Sequence, residues 1–250
     1  MGLLHEAKLL IKSILSWVYL LVGFVFFFFA FGLKEVAVFG KAFILPMPTL
    51  NSFAGSAIST MRENLLPEGV ELIVTNPLSA FLAQILVALL MAFILTFPFL
   101  LYKAIGYLSP ALLAKEKKAV LLAVFPSALL FFSGCAFAYF FIIPATFKFL
   151  YPYTVSIGAI PFFSVNEFVA MTFGIMVAVG VMFLLPIFMA LLNFSGIVGP
   201  RFWRDNWRYA LVTFLIFSAI ITPDGTGISM MMLVVPLAGL YIVGAFVGRR

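Results

Sequence analysis

The chain has 250 residues, of which 65% are hydrophobic and only 10% charged, with a formal net charge of +6. Soluble domains carry roughly 45 to 50% apolar and about 25% charged residues, so this composition excludes an ordinary water-soluble fold and points to lipid as the main solvent. The basic residues sit in short clusters between long apolar runs and form no stripe on one element, which excludes a nucleic-acid surface.

The expected fold class is an all-α integral membrane protein, with six transmembrane helices in a single membrane domain over 1–250. The first charge-free run, Ser13 to Leu33, follows Lys8 and Lys12. No small-x-small cleavage site comes after it, and the run is long enough to cross a bilayer, so it predicts an uncleaved helix over 13–33. An external cap segment follows over 34–76, rich in Pro, Ser and Gly, with an amphipathic stretch from Leu50 to Leu66. The second span is expected over 77–101, because Asn76 is a capping residue and Pro77 suits a first helical turn.

Further charge-free runs predict spans over about 119–145, 167–193, 208–222 and 227–247. Pro98, Pro126, Pro186 and Pro236 each remove a backbone donor, so several spans should be kinked. The fifth run, Tyr209 to Ile221, has 13 apolar residues. That is roughly 20 Å of helix against a hydrocarbon core of about 30 Å. Thr222, Pro223, Asp224 and Gly225 read as a tight turn, so the fifth and sixth helices form a short hairpin.

Orientation follows from the distribution of Lys and Arg. One side carries Lys8, Lys12, Lys103, Lys115, Lys117, Lys118, Arg201, Arg204, Arg208, Arg249 and Arg250, eleven in all, and the other has Lys34, Lys41, Arg62 and Lys148. The eleven are expected on the cytoplasmic side, with both termini.

An enzyme needs converging titratable groups, and the chain has one His, His5, and one Cys, Cys135. No metal-ligand spacing, P-loop or nucleophile elbow occurs, so no catalytic residue, metal or cofactor is expected. No charge stands in the middle of an apolar run, where a coupled carrier places one. Glu167 comes nearest, at the start of the fourth run, where the helix dipole favours a carboxylate. The polar residues within the runs, Gln84, Thr96, Ser127, Ser133, Thr172, Asn193, Thr213 and Ser218, suit bonds to neighbouring helices or to their own backbone. These features favour recognition or scaffolding, and a small-molecule permease of the membrane is the alternative.

The stretch from Pro98 through Tyr107, Pro110 and Glu116 to Lys118 resembles the first cytoplasmic loop of the TatC family, the large subunit of the twin-arginine protein translocase. The run Gly134 to Pro144, with Phe137 and Tyr139, is similar to that family's third-helix pattern. Gly196, Arg208-Tyr209, the turn Thr222-Pro223-Asp224 and Pro236 with Leu240-Tyr241 follow in the same order. There are two departures. Leu184 stands where the family usually has a fourth-helix Glu, and the amino-terminal motif is reduced to His5-Glu6-Ala7-Lys8.

The resemblance implies a multi-pass protein of the cell membrane, embedded in lipid. It implies a receptor that binds twin-arginine signal peptides of folded passenger proteins and recruits small single-span TatA/TatB-type subunits. Export then uses the proton-motive force, and the subunit forms a homo-oligomer within a larger complex. An arginine pair is best met by carboxylates in a partly dehydrated groove. The acidic residues expected on the cytoplasmic side are Glu6, Glu116 and Asp205, and because Glu116 sits in the matching loop and Glu6 in the remnant of the terminal motif, the resemblance implies Glu6 and Glu116 ahead of Asp205 as signal-peptide-binding residues, with Lys8, Tyr107 and Pro110 beside them. Pro98, Phe137, Tyr139, Pro144, Glu167, Thr222, Pro223 and Asp224 are structural or partner-contact candidates.

Overall fold

A computed structural model of the chain describes residues 3–38, 41–49, 51–108, 123–158, 162–194, 196, 198–222 and 227–247. The chain divides into two compact units, one made of Met1–Leu100 and Pro161–Phe173, the other of Leu101–Ile160 and Gly174–Arg250.

In the first unit, helix α1 (Leu3–Ala30) and the early part of helix α3 (Pro77–Leu108) run antiparallel. Trp17 meets Phe93 edge-on at 6.1 Å and Phe29 meets Phe81 at 5.4 Å, so as α1 advances α3 recedes. The indole N–H of Trp17 donates to Thr96 Oγ1 at 3.2 Å. The Thr96 hydroxyl in turn donates to the Ala92 carbonyl at 2.8 Å, so the buried group both accepts and donates. Helix α3 begins at Pro77, and Asn76 Oδ1 accepts from the Ser79 N–H at 2.7 Å. The cap accounts for a start at this residue.

Helix α1 ends three residues earlier than the run of apolar residues. Strand β1 (Phe31–Val38) takes up Phe31, Gly32 and Leu33 and pairs antiparallel with β2 (Lys41–Pro48). The Thr49 N–H donates to the carbonyl of Ala30 at 3.3 Å, so the end of the helix is satisfied by the returning chain. Gly32 lies against that return: a Cβ there would collide with the Asn51 carbonyl oxygen. Helix α2 (Phe53–Leu65) occupies the amphipathic stretch, with Ser52 Oγ capping Gly55 N–H and Ala54, Met61 and Leu65 buried. Phe27 stacks on Phe53 at 5.6 Å and joins α2 to α1. Strand β3 (Glu71–Ile73) pairs in parallel with β4 (Phe162–Ser164).

In the second unit, helix α4 (Val124–Phe137) runs into a five-residue π segment, Ala138–Ile142, and then helix α5 (Ile143–Ser156). Pro144 has no N–H and its ring collides with the carbonyl four residues back in a regular helix. The widened turn removes that collision, with the Ile143 N–H bonded to Ala138 O. In membrane helices local π adjustments of this kind re-satisfy backbone groups that a proline frees. The helical stretch consequently continues past the expected end near residue 145 to Ser156, carrying Lys148 and Pro152 within it.

Helix α6 (Val165–Met182) leads to α7 (Leu185–Phe194). The fourth span is thus two helices, because Pro186 cannot donate. At the break, Leu184 N–H donates to Val181 O at 3.1 Å, a tighter three-residue closure. Short helix α8 (Pro200–Asp205) precedes α9 (Trp207–Ile221) and α10 (Ile228–Val247).

Among the described residues, four helical stretches are long and apolar enough to cross a membrane: Pro77–Lys103, Val124–Ser156, Val165–Asn193 and Ile228–Phe246. Two shorter apolar stretches, Ile14–Ala30 and Trp207–Ile221, complete six. Helix α9 has 15 residues and is the shortest of these spans, and α10 has 20. In lipid there is little hydrophobic gain from helix contact, so close packing and hydrogen bonds must hold the spans together. Phe131, at 0% exposure, shows this: its ring lies where a Cβ on Gly180 would be.

Candidate functional site

The residues assigned to peptide binding fall at the helix ends and beyond. Glu6 and Lys8 lie in the first turns of α1 and Tyr107 in the last turn of α3, their side chains outside the described part of the structure. Pro110 and Glu116 lie outside the described residues, as do Pro223 and Asp224.

The remaining candidates occupy two different settings. Pro98 is half-buried inside α3 and withholds an N–H from the Ile94 carbonyl, two residues beyond the Trp17–Thr96 bond. Glu167 stands exposed in the first turn of α6, immediately after β4. There its carboxylate suits the positive end of the helix dipole and reaches solvent.

Phe137 ends α4 half-buried, stacked on Phe141 at 5.3 Å and against Phe183 at 5.6 Å. It also lines an open apolar hollow with Gly227, Met231, Met232, Val235 and Pro236. Tyr139 packs edge-on against Phe140 at 5.1 Å, within the π segment that Pro144 imposes. Thr222 is buried at the end of α9, its hydroxyl donating to the Ser218 carbonyl at 2.8 Å. Its role there is to close the helix before the turn. Leu184 lies half-buried in the break between α6 and α7.

The polar residues within the spans divide by what they bond. Thr96, Ser127, Ser133 and Thr213 donate to carbonyls of their own helices at 2.6 to 2.8 Å. Asn193 instead reaches across: its Oδ1 accepts from the Trp203 indole N–H at 2.8 Å. The buried hydroxyls of Thr172, Ser218 and Ser229 have no hydrogen-bond partner among the described residues.

Asn193 belongs to a cluster that sequence reasoning did not assemble. Tyr241 OH donates to the Trp203 carbonyl, and its ring meets Trp203 at 6.3 Å and Phe214 at 5.9 Å, edge to face. Helices α7, α8, α9 and α10 are thereby tied together at one end. Arg201, Arg204 and Arg208 stand exposed beside this cluster, with the Arg208 guanidinium 5.7 Å from the Trp207 ring. The available signal was the interleaving of Trp203 and Trp207 with three arginines, the mark of a membrane–water boundary.

The family model described as "Sec-independent protein translocase protein (TatC)" matches residues 5–236. A Sec-independent protein translocase protein TatC from Cenarchaeum symbiosum is 38% identical over 225 residues, covering 90% of this chain and 85% of the relative. The same protein from Aquifex aeolicus is 31% identical over 216 residues, covering 83% of this chain and 87% of the relative. A crystal structure of the twin arginine translocase receptor TatC is similar with a TM-score of 0.74 at 25% identity, over 98% of each chain. A second crystal structure of that receptor, in DDM, gives 0.75 at 27% identity over 99% of each.

Proposed function

The chain belongs to the TatC family of Sec-independent protein translocase proteins, and on that basis we propose that it binds twin-arginine signal peptides through Glu6 and Glu116. It is a core subunit of the twin-arginine translocase and a multi-pass membrane protein. In the proposed reading both termini are cytoplasmic, and Lys8, Tyr107 and Pro110 complete the peptide surface. Spans that alternate in direction carry the start of the first helix and the segment after the second span to the same side of the membrane. The bound peptide then recruits single-span TatA/TatB-type subunits to a homo-oligomeric assembly, and the proton-motive force drives export of the folded passenger. The subunit itself performs no covalent chemistry.

The likeness to solved twin-arginine translocase receptors along nearly the whole chain is the observation that carries this reading. Its physical basis is the match of two guanidinium forks with two carboxylates, in which charged hydrogen bonds are shorter and roughly twice as strong as neutral ones. Photocrosslinking from position 116 to a signal peptide tests it. Crosslinking should depend on the two arginines and fail with two lysines, and Glu116→Ala should weaken affinity by about 1.5 to 3 kcal/mol. Equal crosslinking of both peptides, with unchanged affinity, overturns the assignment.

A further inference from the structure

Beside the Trp203–Tyr241 contact, the second unit leaves a groove of about 280 Å³ between α8 with the start of α9 and the last turns of α10. Arg204 and Trp207 form one wall, and Tyr241, Ile242, Ala245 and Phe246 the other. The lining is almost wholly apolar, made of aromatic and aliphatic side chains, and Arg204, itself exposed, is its one charged residue. Ile242 and Phe246 are each more than half exposed on a helix apolar enough to span a bilayer, so the open side of the groove meets acyl chains. Residues 201–208 bring Arg201, Arg204 and Arg208 together with a single carboxylate, Asp205, all four exposed.

A soluble anion gains nothing from a wall of Ile242 and Phe246, and a neutral chain has no use for Arg204. A molecule with both parts fits both walls. We propose that this groove holds one phosphate-bearing membrane lipid, its phosphate on Arg204 and one hydrocarbon chain along Ile242, Ala245 and Phe246. A guanidinium matches phosphate bidentately, and basic pockets between membrane helices hold anionic headgroups. Trp207 and Trp203 keep the site at headgroup depth, where indole rings settle. Arg201 and Arg208 add attraction without lining the groove. The lipid covers the edge of α10 next to the cluster that ties α7 through α10, so it adds a non-protein component to that packing.

The test uses the full-length protein in nanodiscs containing phosphatidylglycerol with a photoactivatable group in one chain, followed by peptide mapping. Label should concentrate on residues 203–207 and 241–246, and a phosphatidylcholine probe of the same chain should label them less. Arg204→Gln should lower this labelling by about fivefold, the effect of one arginine near an anionic lipid, with Arg204→Lys in between. Excess inorganic phosphate should not displace the lipid. Labelling spread evenly over all lipid-facing helices overturns the proposal, as does indifference to Arg204→Gln. Displacement by inorganic phosphate would mean a simple anion site and also overturns it. Should Arg204→Gln fail to fold, equal labelling of the wild-type protein by the two lipids is the overturning result.

Discussion

Gly134 and Gly180 touch backbone to backbone: a Cβ on Gly134 would stand 2.9 Å from the Cα of Gly180 and 2.8 Å from the Phe183 ring. A Cβ on Gly180 would in turn press on Cys135 Sγ and the Phe131 ring. Alanine ordinarily favours a helix by about 1 kcal/mol over glycine, whereas overpacking a tight contact costs about 1 to 3 kcal/mol. The neighbour here includes a backbone atom that cannot swing aside, so the packing cost wins. Gly134→Ala and Gly180→Ala should each lower stability in reversible unfolding from mixed micelles. Gly174→Ala, where nothing lies within 4 Å, should be neutral or stabilising. Equal effects at all three positions would refute the contact as a determinant of stability.

The Trp17–Thr96 bond should be measurable by a double-mutant cycle. Trp17→Phe and Thr96→Val remove the donor and the acceptor, and the coupling energy should be about 0.6 kcal/mol, with about 1.7 kcal/mol as an upper bound for membrane hydrogen bonds. Thr96→Val alone should cost more than Trp17→Phe through hydrogen bonding, because it strands the indole N–H within the span. A coupling energy of zero would show that the two side chains are neighbours without being partners.

At the other cluster, Tyr241→Phe removes the donor to the Trp203 carbonyl and keeps the ring contacts with Trp203 and Phe214. The expected loss is about 0.5 to 1.5 kcal/mol. Tyr241→Ala removes the rings as well and should cost about 3 to 5 kcal/mol, as for large aromatic truncations. Comparable losses for the two variants would assign the stabilisation to the hydroxyl rather than to packing.

Topology can be read with thiol chemistry on intact cells. Cys135 is buried at 3% exposure, so the native thiol should give little background labelling. Asp224→Cys should react with a membrane-impermeant maleimide added outside. Ser109→Cys, in the loop after the second span, should react only after permeabilisation. The reverse pattern would invert the proposed orientation of both termini.

The apolar architecture was legible because lipid leaves little freedom: long charge-free runs must satisfy their backbone internally, and helices do so. The start of α3 at Asn76-Pro77 and the helix within Leu50 to Leu66 were legible from local capping and amphipathic pattern. The end of α1 was not, because it depends on Gly32 lying against Asn51, a meeting of segments that no local pattern announces. The division of the fourth span at Leu184 could be suspected from Pro186, but the three-residue closure could not. For the binding surface, the assignment of Glu6 and Glu116 rested on resemblance. Trp203 escaped notice because its partners, Asn193 and Tyr241, are distant in sequence.

The widened turn at Ala138–Ile142 changes how the third span must be counted. An α-helix advances about 100° per residue, so one added residue puts everything downstream out of phase with everything upstream. Phe137 and Thr146 cannot be placed on one helical wheel, and a face drawn through both would be wrong by a full position. Deleting a single residue within 138–142 would therefore return the turn to a regular helix and leave α5 facing as it does, whereas the same deletion in a regular stretch of α4 would rotate everything after it by about 100°.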